Sequence, residues 1–177
     1  MSDESENEET VWQGKYIAAK RKGKWEYVSR TRNVSAAVIL AVVDGDVLLV
    51  EQERAPLNRR CLELPAGLIG DEEEGEQVEA AAARELEEET GFRPERIVKL
   101  GRFYASPGMS SEGFTLVRAE GLTKVGDGGG VEGENIQVHR VPLADAVDFI
   151  RRKSDAGVAL DVKLLLLLAQ GYLKLSA

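Results

Sequence analysis

Residues Gly70–Phe92, GDEEEGEQVEAAAARELEEETGF, decide how the rest of the chain is read. They predict a loop followed by one helix over about Glu76 to Thr90, with Gly91 placed to end it in a left-handed cap. Ala, Leu, Glu and Arg dominate the stretch, and all favour helix. At roughly 100° per residue, Val78, Ala81, Ala82 and Leu86 share one face. Glu85 and Glu89 fall on that face too, Glu88 flanks it, and Glu87 points the opposite way. Two carboxylates therefore occupy the side of the helix that should meet a core. Like charges one turn apart repel by roughly 0.2–0.5 kcal/mol even when exposed. Desolvating them without a partner is costlier still. A hard cation relieves both penalties, because Mg2+ accepts a few carboxylate oxygens and keeps its waters. A Glu-rich helix is ordinarily a solvated acidic face. Here the facing of Glu85 and Glu89, with Arg84 and Gly91 at fixed offsets, favours the metal reading.

The stretch resembles the box of the Nudix hydrolases, G-x5-E-x7-R-E-U-x-E-E-x-G-U, where U is a bulky aliphatic or aromatic residue. Gly70, Glu76, Arg84, Glu85, Leu86, Glu88, Glu89, Gly91 and Phe92 stand at its fixed positions. Gly67 is a second candidate for the box glycine. In the ADP-ribose pyrophosphatase branch that glycine follows Pro-Ala directly, as it does in Leu64-Pro65-Ala66-Gly67-Leu68-Ile69. The glutamate positions are the same either way. Other segments look like that branch: Gly14-Lys15-Tyr16 with Trp25-Glu26, Val50-Glu51-Gln52-Glu53-Arg54, and Ser106-Pro107-Gly108. Pro107 stands about fifteen residues after the box, where the branch carries a proline.

The resemblance implies an α/β (mixed α+β) fold: a Nudix αβα sandwich with a mixed sheet, plus an N-terminal β-hairpin extension. It also implies roles. Glu85, Glu89, the backbone carbonyl of Ala66 and, as a further ligand, Glu88 would hold Mg2+, with Mn2+ as the alternative. Bound metal polarises a diphosphate and activates water. Arg84 and Glu76 form a structural pair. The family carries its general base on a loop after the box, and Val131-Glu132-Gly133-Glu134 is an acidic, glycine-bearing loop just before a strand. Spacing does not choose between Glu132 and Glu134, with Glu134 slightly preferred, and Glu112 is a third candidate. Tyr16 and Trp25 match aromatics that sandwich the base, where stacking is worth ~1–3 kcal/mol. Arg54 and Arg30 match diphosphate contacts, for which the guanidinium fork is suited. Gly108 and Met109 complete the expected substrate contacts. As purely structural readings, Tyr16 and Trp25 are hairpin packing and the arginines are ordinary surface residues.

The whole chain bounds the reading. Its 177 residues suggest one core domain with an appendage, and 43% hydrophobic with 31% charged residues is a globular composition. A net charge of −8 argues against general nucleic-acid binding. The lone cysteine, Cys61, cannot close an internal disulfide, and no signal peptide is visible, so a cytoplasmic location is expected. Leu164–Leu168 is too short to span a bilayer. The single His139 excludes a histidine-cluster zinc site and reads as structural.

In chain order, residues 1–10 read as a disordered acidic tail, 11–33 as a hairpin turned at Arg21-Lys22-Gly23, and 34–177 as the Nudix domain. Ser35–Val43 and Val47–Glu53 are strands joined by Asp44-Gly45. Cys61–Leu64, Ile97–Tyr104, Gly113–Ala119 and Ile136–Val141 are further strands. Leu122–Glu134 is a mobile glycine-rich loop, and Leu143–Lys153 and Ala159–Leu173 are helices. The hairpin carries too much apolar surface to stand alone. The resemblance implies that it is exchanged across a two-fold axis in a homodimer. The expected function is Mg2+-dependent hydrolysis of ADP-ribose to AMP and ribose 5-phosphate, or of a related nucleoside diphosphate sugar. The alternatives are the same chemistry on another nucleoside diphosphate derivative or dinucleotide, and a non-catalytic sensor of ADP-ribose.

Overall fold

A computed structural model describes residues 7–32, 34–70, 75–131 and 133–173. Three antiparallel strands open it: β1 (Glu8–Gln13), β2 (Ile17–Lys22) and β3 (Trp25–Arg30), paired in that order. The sequence predicted two strands. The first of these is divided at Gly14, whose N–H bonds the carbonyl of Ile17 at 2.9 Å and closes a turn. Glu8 and Glu9, expected to lie in a disordered tail, belong to β1. They are held there by ion pairs across the ladder to Lys20 and Arg21.

The main sheet starts with β4 (Ser35–Val43) and β5 (Asp46–Arg54). Asp44 and Gly45 between them both take positive φ, 51° and 86°, as a type I′ turn requires. The remaining elements are β6 (Arg59–Glu63), β7 (Ala66–Ile69), α1 (Val78–Thr90), β8 (Phe92–Arg93), β9 (Arg96–Tyr104) and β10 (Gly113–Glu120). They are followed by β11 (Thr123–Lys124), β12 (Gln137–Pro142), α2 (Ala146–Asp155), β13 (Ala159–Leu160) and α3 (Leu165–Leu173).

The central relationship is a divergence. β4 and β5 pair only next to their turn, at Val42–Val47 and Val43–Asp46. Beyond it, β4 runs between parallel β10 and antiparallel β7, with β9 outside β10. β5 runs between antiparallel β12 and β6, with β13 parallel to β6. The link from β6 to β7 bridges the two wings, and the N–H of Ile39 bonds the carbonyl of Pro65 at 2.8 Å. One core packs α1, through Ala81, Ala82 and Leu86, on Ile39, Leu48 and Val117. The other packs α2, the short turn before α3, and α3, through Ile150, Leu164 and Leu168 respectively, on Leu49, Leu62 and Leu64. Helices on both faces of a mixed sheet give the expected αβα sandwich.

The last helix starts later than predicted. Ala159 and Leu160 pair with Cys61 and Leu62 as a strand, and the Asp161 carboxylate accepts the N–H of Lys163 at 2.8 Å, capping a short turn before α3. The glycine-rich segment, expected to be mobile, is anchored on the end of α1. Val125 and Gly126 donate to the carbonyl of Gly91, Gly129 to that of Glu89 at 2.9 Å, and Gly130 to that of Glu88 at 3.0 Å. These bonds satisfy carbonyls that a helix C-terminus leaves open. Close approach requires glycine at Gly128, where a Cβ would sit 2.5 Å from the backbone carbon of Thr90.

Candidate active site

The divergence of β4 from β5 leaves a cavity of about 640 Å³ between the wings. Its acidic wall comes from α1. Glu85 and Glu89 both line it, and Glu89 is 5% exposed. β7 positions them from below. The N–H of Ala66 donates to Oε2 of Glu89 at 3.1 Å. Gly67 lies flush against Glu85, where a Cβ would come within 1.9 Å of the carboxyl carbon. Gly67 is thus the glycine that leaves room for Glu85. Gly70, at φ 81°, turns the chain out of β7, and its N–H approaches Glu76. Arg84 contacts Glu76 at 3.4 Å and Glu85 at 3.0 Å, tying the entrance of α1 to the cavity wall.

Burial pushes the Glu89 carboxyl up to about 8 against the lowering effect of the Ala66 N–H, and the charges of Glu85, Glu134 and Glu63 add to the rise. Glu134 lines the cavity from the glycine-rich loop, where its Oε2 accepts the N–H of Val131 at 2.9 Å. Glu112 lines it from just before β10 and is engaged by Arg30, whose Nε lies 3.0 Å from Oε1. Arg54 lines it from β5 and forms a two-pronged pair with buried Glu63, at 2.6 and 2.7 Å. Burial favours the charged pair only because both carboxylate oxygens are bonded.

The structure therefore brings Ala66, Glu85, Glu89, Glu112, Glu134, Arg30 and Arg54 to one cavity. Other expected residues stand elsewhere. Glu88 is outside the lining and contacts Arg84 at 3.5 Å. Tyr16 borders a separate small cavity with Arg30, Arg32 and Leu68. Trp25, at the far end of β3, is 59% exposed. Gly108 and Met109 belong to a turn that docks on β3, where Val28 donates to the Met109 carbonyl at 2.9 Å, and the Met109 side chain projects outward. Glu132 lies outside the described residues.

Several lining residues were given no site role from the sequence: Gln52, Cys61, Glu63, Phe114, Asp161 and Lys163. Glu63 did carry a signal, because it alternates with apolar Leu62 and Leu64 and so marks the opposite face of its strand. Asp161 and Lys163 were hidden inside an apparent helix. They form their own ion pair at 2.6 Å.

No three acidic, cysteine or histidine side chains among the described residues already form a closed metal cage. The donor chemistry nevertheless fits a hard cation. It offers two carboxylates one turn apart, one of them buried and resisting ionisation, beside a backbone segment lacking a side chain at Gly67. His139 is not part of this site. Its Nε2 lies 3.0 Å from Glu51, which also bonds Lys153 and Arg60, on the α2 side of the sheet.

An αβα sandwich whose sheet splits around a cleft walled by one glutamate-bearing helix defines a class, and the sequence comparison supplies its family. The chain belongs to the NUDIX domain family, which it matches over residues 31–161. It is 37% identical over 124 residues to the ADP-ribose pyrophosphatase of Bacillus subtilis (strain 168), covering 69% of this chain and 65% of that protein. It is 31% identical over 142 residues to the ADP-ribose pyrophosphatase of Saccharomyces cerevisiae, covering 69% and 60%. The chain thus spans less than two thirds of these relatives' length. Among solved structures it is similar to one described as an ADP compounds hydrolase, with a TM-score of 0.70, 27% identity, and coverage of 95% of this chain and 92% of that one. No helix among the described residues is long and apolar enough to cross a membrane.

Proposed function

We propose that this protein hydrolyses the diphosphate bond of a nucleoside diphosphate sugar, with ADP-ribose giving AMP and ribose 5-phosphate, in the presence of Mg2+ or Mn2+. The observation that carries the reading is the buried Glu89 carboxyl in a cavity that also gathers Glu85, Glu134 and the guanidinium of Arg54. An acid-lined cavity of this kind repels an anionic substrate unless a cation is present. Glu85, Glu89 and the Ala66 carbonyl would hold that cation, with Glu88 as a further ligand after releasing Arg84. Bound there, a divalent ion supplies charge neutralisation and an acidified water.

The chain's own groups do the rest. Arg54 and Arg30 bind the diphosphate oxygens, exchanging carboxylate partners for phosphoryl ones. Glu134 or Glu132 accepts the proton of the attacking water. Glu112 is the remaining candidate base. Tyr16 and Trp25 stack the nucleobase, and Gly108 and Met109 border the substrate. Val11, Trp12, Tyr16, Ile17 and Trp25 are all exposed on the N-terminal sheet, which supports a homodimer that exchanges this element and completes each base site from the partner.

The similarity to ADP-ribose pyrophosphatases supports the substrate class. A panel of nucleoside diphosphate sugars and dinucleotides, assayed with Mg2+, Mn2+ or chelator and read by product analysis, tests it. The reading expects metal-dependent cleavage with ADP-ribose among the best substrates. Tight ADP-ribose binding without turnover of any panel member would replace it with a sensor.

A further inference from the structure

A second cavity, of about 400 Å³, adjoins the first and shares two residues with it, Arg30 and Glu112. Its character is the opposite. Lys20, Arg30, Arg32 and Arg102 line it, with Glu112 as the one acid among the described lining residues. Four cations around one cavity stand out in a chain of net charge −8. Lys20 pairs with Glu8 and Arg30 with Glu112. Arg32 and Arg102 form no ion pair with any described residue, and both are exposed. Ser35 and Ser111 also line the cavity. Ser29 is 8% exposed, and its hydroxyl has no hydrogen-bond partner among the described residues. That hydroxyl is itself sealed from solvent, so the character of the cavity rests on its cations.

We infer that this cavity is a phosphoryl-binding subsite, separate from the diphosphate site and divided from it by the Arg30–Glu112 pair. Arg32 and Arg102 provide the charge and the forked donors that suit phosphate. Two sources share this chemistry: an additional phosphoryl group on the nucleoside diphosphate sugar, and free inorganic phosphate. The inference stands apart from the hydrolytic reading, because phosphate binding is measured without turnover.

The test titrates inorganic phosphate into the full-length protein by calorimetry, comparing wild type with Arg32→Gln/Arg102→Gln. The double variant should bind phosphate about tenfold or more weakly, while its hydrolysis of ADP-ribose stays within about twofold of wild type. A wild-type preference for ADP-ribose 2′-phosphate over ADP-ribose in kcat/KM, lost in the double variant, assigns the site to the substrate. Phosphate binding that persists beside saturating ADP-ribose, without that preference, assigns it to free phosphate. Phosphate affinity unchanged in the double variant, or no phosphate binding together with no preference, overturns the subsite.

Discussion

The backbone N–H of Ala66 donates to Oε2 of Glu89 at 3.1 Å, joining the strand before α1 to the buried carboxyl at its end. Ala66 and Glu89 are far apart in sequence, yet this contact fixes the depth of the acidic wall. Next to it, Gly67 leaves the space that Glu85 occupies.

Gly67→Ala should therefore damage the site more than the fold. The new Cβ would sit 1.9 Å from the Glu85 carboxyl carbon, so that side chain must move. A shift of about 1 Å in a catalytic group lowers turnover by ~100-fold. Steady-state kinetics and thermal melts on one preparation check this. Unchanged kcat would show that Glu85 need not hold its present position.

The base is identified by kcat. Glu134→Gln and Glu132→Gln should differ, with the base variant binding substrate and metal normally but turning over about 100-fold more slowly or worse. If neither variant nor their combination is slowed, the base lies elsewhere and Glu112 becomes the leading candidate.

Trp25→Ala should raise KM for ADP-ribose and leave kcat largely intact, because lost stacking is uniform binding energy. Removing residues 11–32 should yield a monomer or aggregate with poor ADP-ribose binding. Light scattering on the intact chain reads the assembly directly, and a monomer would end the exchange proposal.

The Glu51 cluster predicts acid sensitivity. Burial alone would raise this carboxyl, but bonds from Lys153, Arg60 and His139 prevail and hold it at about 2, against an ordinary 4.5. A depressed carboxylate stabilises the fold fully above its unfolded value, and that contribution fades as pH falls from 4.5 through 2. Glu51→Gln should lower Tm at neutral pH and flatten its decline across that acid window. Parallel melting profiles for the two proteins would rule out this linkage.

Much of this was legible in the residues. Asp44-Gly45 announced its hairpin, and the face shared by Leu86, Glu85 and Glu89 announced a carboxylate wall against a core. What stayed hidden depended on distant pairing. Ala159–Leu160 continues an apolar run that reads as helix, and only the exposed edge of β6 makes it a strand. Ala66–Ile69 is too short to signal a strand without β4 beside it. The cationic cavity is assembled from four separate segments, so no local motif marks Arg32 and Arg102 as neighbours. Tyr16 and Trp25 matched a pattern whose geometry a single chain does not bring to the main cavity.

The most direct measurement sets wild type beside Glu89→Gln with ADP-ribose and Mg2+, following AMP and ribose 5-phosphate. The substitution keeps the shape and removes a buried charge, so metal-free Tm at or above pH 8 should be unchanged or higher. Initial rates should fall by about 100-fold or more, with wild type releasing the two products in equal amounts. Near-normal Mg2+-dependent hydrolysis by Glu89→Gln would contradict the assignment of this carboxylate, and with it the proposed metal site.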